Sequence, residues 1–169
     1  MIKICISGLS TSGKTTLGNE ISKQFNLVHI NHSYRHYTKS NEELLKILKE
    51  SNEKFVHEFD NKIIEASNKN SNCVVTTWLG PWLIKDATLR IWLEASLEER
   101  AKRYSLKNLV PISDAETFIK EKDRLTVMEF KKIYNIDIID HSIFDLCINT
   151  NKVNINNILE IIKLLVKKE

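Results

Sequence analysis

The sequence predicts an α/β fold, a three-layer sandwich in which helices cover both faces of a five-stranded parallel sheet. Short apolar runs alternate with longer segments whose apolar side chains recur at the helical period, and this alternation is typical of βαβ units. The apolar runs are nearly continuous, which indicates strands that are buried on both faces. The chain has 169 residues, which is enough for one domain of this kind and too few for two.

Five segments have the length and composition of strands, namely 2–7, 27–30, 72–77, 89–93 and 144–148. Helical periodicity predicts helices over 15–25, 41–66 and 155–166. Three capping boxes, in which a Ser is followed three residues later by a Glu, mark helix starts: Ser40 with Glu43, Ser96 with Glu99, and Ser113 with Glu116. No repeat or linker divides the chain, so we expect a single domain over 1–169.

Charge, hydropathy and cysteine content exclude several classes of protein. The formal net charge of +3 is too small to indicate a nucleic-acid partner by itself. No apolar stretch approaches the eighteen or so residues that cross a bilayer, and 1–7 lacks the layout of a signal peptide. Cys5, Cys73 and Cys147 each lie in an apolar run, which predicts reduced and buried thiols. We therefore expect a cytoplasmic protein without nucleic-acid or membrane partners.

A phosphate loop, residues 8–16, follows the first predicted strand. It reads G-L-S-T-S-G-K-T-T and satisfies the pattern G-x-x-x-x-G-K-[ST]. Its glycines allow backbone N–H groups to point at a phosphate, and the next helix adds the positive end of its dipole. Lys14 is suited to reach the β- and γ-phosphates and Thr15 to ligate Mg²⁺. We expect the whole loop to bind ATP: Gly8, Leu9, Ser10, Thr11, Ser12, Gly13, Lys14, Thr15 and Thr16.

The rest of the chain does not fit a GTPase or a large ATPase. A GTPase needs a base-reading N-K-x-D near the end of a late strand, where 146–150 reads L-C-I-N-T. A motor or transporter ATPase carries an acidic residue after an apolar strand, where 76–78 reads T-T-W. A small phosphotransferase with mobile covers over two substrates fits the size of the chain better.

A basic segment without acids, 100–107, supports that choice; it contains Arg100, Lys102, Arg103 and Lys107. It is either a solvated helix face or a lid that clamps phosphate, and the lid is favoured beside a phosphate loop. Closure of such a lid would exclude water, so we expect order in 100–112 to depend on nucleotide.

The phosphate loop, 91–101 (I-W-L-E-A-S-L-E-E-R-A) and 133–150 together resemble the short, archaeal-type cytidylate kinases, which are nucleoside monophosphate kinases with the P-loop NTPase fold. The resemblance covers nearly the whole chain. It implies a core of 1–30, 71–98 and 136–169, an acceptor-binding insert over 31–70, and a lid with its following helix over 99–135. It also implies phosphoryl transfer from ATP, with Mg²⁺, to CMP or dCMP.

The departures from this family lie on the acceptor side. Of the family's small-Gly-Asp-x-aromatic-Arg segment, only the aromatic residue and Arg35 carry over in 29–35, H-I-N-H-S-Y-R. The family's Glu-Gly-Arg is replaced by T-T-W at 76–78. Lys122 and Glu129 stand where the family has arginines, and a Lys lacks the planar fork that binds phosphate bidentately.

Within the resemblance, catalysis consists of aligning two phosphates and neutralising the charge on the transferring group. The expected catalytic cations are Lys14, Arg100, Arg103 and Arg124, with Lys107 as a further lid candidate. The expected acceptor site consists of His32, Tyr34, Arg35, Trp78 and Trp82. Arg35 is assigned to the acceptor phosphate, and its alternative is a surface position at a helix start.

Two tryptophans and three histidines each allow two interpretations. Trp78 and Trp82 either stack on a base or cover the core. His29, His32 and His36 are close in sequence, and we place His32 and His36 one turn apart on a helix. They indicate a metal site only weakly, because no Cys or carboxylate completes the ligand set. The alternative is polar side chains that line a pocket or the surface.

Three functions remain open at this point. The first is a cytidylate-like nucleoside monophosphate kinase, the second is a regulatory nucleotide-binding protein derived from one, and the third is a kinase for a different small acceptor. We expect small-molecule nucleotide partners and a monomer or weak dimer. Asp137 and Asp140, in a predicted loop, are expected to brace it rather than to act as a general base.

Overall fold

The computed structural model describes residues 1–166, and its five strands form one parallel sheet. The strands are β1 (Ile2–Ser7), β2 (Val28–Ile30), β3 (Asn72–Val75), β4 (Leu89–Glu94) and β5 (Leu146–Asn149). Their spatial order is β2-β3-β1-β4-β5, so the chain places two strands on each side of β1. The carboxyl ends of all five strands share one edge, and the connections change direction beside β1, where open α/β sheets bind ligands.

Helices cover both faces of this sheet. Within 1–166 they are α1 (Lys14–Phe25), α2 (Asn41–Glu50), α3 (Glu53–Lys69), α4 (Gly80–Leu83), α5 (Leu97–Asn108), α6 (Ile112–Tyr134) and α7 (Ile155–Val166), with a 3₁₀ turn over Tyr34–Tyr37. Ile21 and Ile162 bury α1 and α7 on one face, whereas Ile63 and Ile119 bury α3 and α6 on the other. The three layers confirm the predicted fold class. None of these helices is both long and apolar enough to cross a membrane.

The two edge strands are less buried than their apolar sequences predicted. Val28 on β2 is 48% exposed, and the Cys147 side chain on β5 is exposed to solvent. The prediction of a buried thiol is therefore correct for Cys5 and Cys73 and wrong for Cys147. An edge strand has a neighbour on one side only, and in β5 it is Ile148 that packs in the core with α7.

The predicted helix over 41–66 is two helices. α2 ends at Glu50, and α3 begins after Asn52, whose side-chain oxygen accepts a hydrogen bond from the Phe55 N–H at 2.9 Å. Leu48 and Phe55 lie seven residues apart on either side of the break, which equals about two helical turns. The apolar period therefore continues across the break, and periodicity alone did not detect it.

Two of the three predicted helix starts are correct, each through its Ser cap alone. The hydroxyls of Ser40 and Ser96 accept hydrogen bonds from the N–H groups three residues later, at 3.2 and 3.3 Å. The third is wrong, because α6 begins at Ile112 and the Ser113 hydroxyl donates to Asp114 instead. Pro111 occupies the cap position, with the fixed φ that proline supplies at a helix start.

The end of β3 also differs from the prediction. The strand stops at Val75 rather than at 77, and Thr76 and Thr77 turn the chain into α4. The Thr77 hydroxyl accepts a hydrogen bond from the Gly80 N–H at 2.9 Å, which fixes that turn. The carboxyl end of β3 thus presents hydroxyl groups to the ligand-binding edge.

Candidate active site

The phosphate loop has a backbone that only glycine allows at two positions. Gly8 has a φ of +142°, and a Cβ there would overlap the backbone oxygen of Leu93. Gly13 has a φ of +108° and precedes α1 without a side-chain cap. The first N–H groups of α1 therefore remain available to an anion at the positive end of the helix dipole.

Lys14 folds over the loop. Its Nζ donates to the carbonyl oxygens of Gly8 and, at 2.9 Å, of Leu9. It also lies 5.2 Å from the centre of the Trp78 ring. Burial, together with the neighbouring charge of Lys122, lowers the pKa of Lys14 to about 7. An anionic phosphate beside this ammonium group would favour its charged form.

The loop also contains hydroxyl groups without partners. The Oγ atoms of Ser10 and Ser12 are buried and have no hydrogen-bond partner among the described residues. Buried polar groups are nearly always hydrogen-bonded, so these atoms mark a place where an added group would complete the site. Thr15 and Thr16 line the adjoining cavity with exposed side chains.

A buried ion pair fastens the loop to α5 and α6. The Arg100 guanidinium donates to Asp123 at 2.6 Å and to the Ser10 carbonyl at 3.1 Å, while Asp123 accepts from the Ser10 N–H at 3.1 Å. The Thr11 hydroxyl donates to the Arg100 carbonyl at 2.9 Å. Arg100 is only 5% exposed and does not line the cavity. In this conformation Arg100 therefore positions the loop and does not face the cavity, where sequence analysis expected a catalytic cation.

The other predicted lid cations divide into two groups. Arg103 and Lys107 line the cavity, and Arg103 donates to the carbonyl oxygens of Ser12 at 3.4 Å and of Thr150 at 3.0 Å. Arg124 lies on the exposed side of α6, where it donates to Glu121 at 2.8 and 2.9 Å. The structure therefore brings Arg103 and Lys107 to the site but does not bring Arg124 there.

A cavity of about 620 Å³ extends from the phosphate loop to the space between α3 and α6. Arg35 and Lys122, here called the cationic pair, both line it. Arg35 donates to Asn41 at 2.8 Å and to the Tyr104 hydroxyl at 3.4 Å, so neutral groups hold its guanidinium. Burial lowers the pKa of Lys122 to about 8. Within 1–166 neither side chain has an ion-pair partner, so both charges remain available to an anion.

Asp60 and Glu129, here called the carboxyl pair, line the far part of the same cavity. They are 5% and 6% exposed. The Tyr134 hydroxyl donates to Asp60 at 2.6 Å, and the hydroxyls of Ser51 and Tyr34 donate to Glu129 at 2.5 and 3.4 Å. Sequence analysis did not single out Asp60, which sits in an otherwise regular amphipathic helix.

Burial has the largest effect on the pKa values of the carboxyl pair. It raises the pKa of Asp60 to about 6, against the lowering effects of the Tyr134 hydrogen bond and of His57 on the same helix. It raises the pKa of Glu129 to about 7, and the nearby charge of Asp60 acts in the same direction. Burial and the charge of Glu129 also raise the pKa of Tyr34.

Aromatic groups form one wall of the cavity. The Phe59 ring lies 4.4 Å from Tyr34 and 4.8 Å from His32, measured between ring centres. Trp78 also lines the cavity, whereas Trp82 packs edge-to-face on Phe144 at 5.3 Å. The two interpretations of the tryptophans thus separate, since Trp78 adjoins the site and Trp82 covers the core.

The histidines do not form a metal centre. His29 contacts the side-chain amide oxygen of Asn19 and the Thr76 hydroxyl, both at 2.8 Å. His32 precedes the 3₁₀ turn that contains His36, so the prediction of a shared helix is wrong. No group of three or more His, Cys, Asp or Glu side chains in 1–166 is arranged to hold a metal ion.

Gly18 has a structural role, and two loop aspartates brace their loop as the sequence predicted. A Cβ on Gly18 would lie 2.6 Å from the His29 ring, so the close approach of α1 to the sheet requires glycine. Asp137 and Asp140 accept hydrogen bonds from the N–H groups two residues later, at 3.0 and 2.9 Å. Both aspartates brace their loop, away from the cavity.

Comparisons with known proteins bear on this site. A family model described as "Cytidylate kinase-like family" matches residues 3–152. Cytidylate kinases from Pyrococcus horikoshii and Sulfurisphaera tokodaii are 34% and 33% identical over 166 residues, covering 95% of this chain and 85% and 92% of those relatives. The structure of the deoxyadenosine kinase of M. mycoides is similar over 99% of this chain and 100% of its own, with a TM-score of 0.66 and 15% identity. It was solved with "products dcmp and a flexible dcdp bound". A shikimate kinase from Bacteroides thetaiotaomicron is 14% identical with a TM-score of 0.63 over 98% of both chains. These two structures support the fold alone.

Proposed function

Because the chain belongs to the cytidylate kinase-like family, we propose that it transfers the γ-phosphoryl group of ATP to a nucleoside monophosphate, with CMP and dCMP as the first candidates. One observation carries the proposal: the phosphate loop and the cationic pair open into the same cavity. A donor phosphate on the loop and an acceptor phosphate on Arg35 and Lys122 would therefore face each other without crossing protein.

The phosphate loop has the groups that ATP requires. The uncapped N–H groups of α1 and the unpartnered hydroxyls of Ser10 and Ser12 are donors that the β- and γ-phosphates would use. Lys14 donates to carbonyls of its own loop, and phosphate oxygens would be stronger acceptors for its charge. ATP supplies the phosphoryl group that is transferred.

Mg²⁺ also fits this end of the cavity. The Thr15 hydroxyl at the start of α1 would supply one oxygen ligand, and Mg²⁺ in proteins usually keeps several waters and phosphate oxygens. Thr76 and Thr77, also in the cavity wall, offer hydroxyls where many ATPases have a carboxylate. The bound ion would neutralise charge between the two terminal phosphates.

Residues of this chain have three roles in the proposed transfer. Lys14 neutralises charge on the transferring group, and Arg103 and Lys107 approach it from α5. The cationic pair orients the acceptor phosphate, so that its oxygen attacks in line. Arg100 and Asp123 hold the loop in place and act as positioning residues. Direct transfer needs no covalent intermediate on the protein.

The test is a coupled ADP-release assay over a panel of nucleoside monophosphates, with deoxynucleosides and shikimate as further arms. We expect turnover that requires both ATP and CMP or dCMP. Lys14→Ala should lower kcat by about 10²–10³-fold, the range typical for loss of one transition-state contact. The substitution removes the ammonium group that neutralises charge on the transferring phosphoryl group. Lys102→Ala, an exposed cation on α5 that pairs with Glu98, is the matched control and should leave the rate unchanged.

The same assay separates the alternative functions. ATP binding without acceptor-dependent turnover on any member of the panel would contradict the kinase proposal and favour the regulatory protein. Turnover on shikimate or a nucleoside alone would assign a different acceptor.

We further propose a cytoplasmic monomer or weak dimer without a nucleic-acid partner. The small net charge and the three free cysteines support this proposal. Sedimentation at micromolar concentration, with and without a duplex oligonucleotide, checks the oligomeric state and the absence of nucleic-acid binding.

A further inference from the structure

The far end of the cavity is lined by two carboxyl groups, whereas the part nearer the phosphate loop carries the cationic pair. We propose that the carboxyl pair, Asp60 and Glu129, receives the amino-bearing edge of the acceptor base and selects cytosine over uracil. This inference rests on the proposed function, because it names the groups that would set base specificity at that same site.

The spacing along α6 places the two ends of the acceptor correctly. Lys122, Thr126 and Glu129 all line the cavity from this helix. Lys122 and Glu129 are seven residues apart, which is two turns or about 10 Å. This separation is comparable to the reach of a nucleoside monophosphate from its phosphate to the far edge of its base. An acceptor whose phosphate contacts the cationic pair therefore directs its base at the carboxyl pair.

The walls around the carboxyl pair suit a flat base. Phe59, Ile63, Leu79 and Phe130 line this part of the cavity with apolar surface. In such surroundings a polar group of the ligand that meets no partner cannot be compensated by water. Hydrogen bonding to the two carboxyl groups therefore decides which base edge fits.

The carboxyl pair retains unused acceptor capacity. Asp60 accepts from Tyr134 through Oδ2, and its Oδ1 has no hydrogen-bond partner within 1–166. Each Glu129 oxygen accepts one hydroxyl hydrogen, from Ser51 or Tyr34, and a carboxylate oxygen can accept two. The unfilled positions call for a donor from the ligand.

Cytosine supplies that donor and uracil does not. The exocyclic amine of cytosine carries two N–H groups, whereas uracil has a carbonyl oxygen at the same place. A carboxylate facing that oxygen would place two buried hydrogen-bond acceptors against each other, with no donor between them. Sites built to hydrogen-bond one group reject analogues that lack it by large factors.

Two other occupants are possible in principle for a carboxyl pair. A metal ion is disfavoured, since no third ligand of the usual types is arranged around the pair in the described chain. Ribose hydroxyls are also donors, and a comparison of CMP with dCMP distinguishes them from the base.

The experiment measures kcat/KM for CMP, UMP and dCMP at pH 8, where Glu129, with a pKa of about 7, is ionised. Wild type should prefer CMP to UMP by about 100-fold or more. Glu129→Gln should lower that ratio at least about tenfold, since an amide offers both a donor and an acceptor and fits either base. Asp60→Asn should act in the same direction. Glu116→Gln, a partly exposed position on the same helix that does not line the cavity, should leave the ratio unchanged.

Two outcomes would overturn the inference: an unchanged CMP-to-UMP ratio in both folded variants, or a change confined to the CMP-to-dCMP ratio. Dissociation constants for CMP and UMP from titration calorimetry supply the same ratio independently of turnover. Absence of wild-type turnover on every nucleotide would count against the proposed function, whereas the binding ratio would still decide the specificity.

Discussion

The donor end and the acceptor end of the cavity are built in different ways. Backbone N–H groups of one nine-residue loop form most of the donor end, and the fixed φ angles of Gly8 and Gly13 shape it. Side chains from the 3₁₀ turn, α3 and α6 form the acceptor end, so residues about 95 positions apart meet there, such as Tyr34 and Glu129. A site made of local backbone tolerates little change, whereas a site made of distant side chains can be altered one residue at a time.

The largest expected effect comes from breaking the anchor of the donor end. Asp123→Asn leaves the buried Arg100 charge without its partner, and such a loss costs about 3–5 kcal/mol of unfolding free energy. Urea unfolding followed by circular dichroism measures it. Glu98→Gln, which removes an exposed partner of Lys102, is the control and should cost less than about 1 kcal/mol. Equal effects of the two variants would show that the anchor does not stabilise the fold.

An acceptor-end change should leave the donor end intact. Arg35→Ala should raise KM for CMP by about 10–100-fold, because a charge-assisted contact with phosphate is lost, with KM for ATP within about twofold. Arg35→Lys should recover part of the loss, since a Lys keeps the charge but not the fork. Lys39→Ala is the control, because it removes an exposed cation from the same region. A parallel rise in KM for ATP would mean that the two ends are not separate.

The sequence was informative about the donor end for a physical reason. The motif encodes backbone shape directly, so the sequence predicted the turn between β1 and α1 and its need for glycine at positions 8 and 13. Alternating apolar runs also predicted the sheet, and the matching family model confirms the family resemblance. Boundaries were less exact, because the break between α2 and α3 depends on one cap, Asn52, within an unbroken apolar period.

Tertiary contacts determined what the sequence did not reveal. Arg100 and Arg124 have the same side chain, yet one is paired with Asp123 under the loop and the other faces solvent. Trp78 and Trp82 are four residues apart and end in different environments. Asp60 gave no signal because a single acidic residue in an amphipathic helix is usually exposed. It is buried all the same, and its hydrogen-bond donor is the hydroxyl of the distant Tyr134.

The pKa of Lys14 gives the donor end a pH dependence. In the free protein burial lowers this pKa to about 7, and a bound phosphate would raise it, so ATP binding takes up a proton above pH 7. Affinity for ATP should therefore fall as pH rises, by up to about tenfold between pH 7 and 8.5. Calorimetry in two buffers of different ionisation enthalpy measures both the affinity and the proton uptake. A pH-independent affinity in wild type would contradict this role, and Lys14→Ala should remove the dependence.

A further pH effect concerns the stability of the acceptor end. Because the pKa of Glu129 is raised from 4.5 to about 7, its proton is held more tightly in the folded state. Its contribution to stability is therefore highest below pH 4.5 and is lost as pH rises through 7, by roughly 1–3 kcal/mol. Glu129→Gln should lessen the difference in urea-unfolding free energy between pH 5.5 and pH 8. An unchanged difference would locate the pH dependence elsewhere.

The central claim is that the two phosphates meet in one cavity and exchange the γ-phosphoryl group directly. Phosphorus NMR of a mixture of the protein, Mg²⁺, ATP and CMP tests it without coupling enzymes. We expect the resonances of CDP and ADP to appear together, in equal amounts, and to grow at least about 100-fold more slowly when Lys14→Ala replaces the wild type. Formation of ADP and inorganic phosphate without CDP, at any CMP concentration, would contradict the claim.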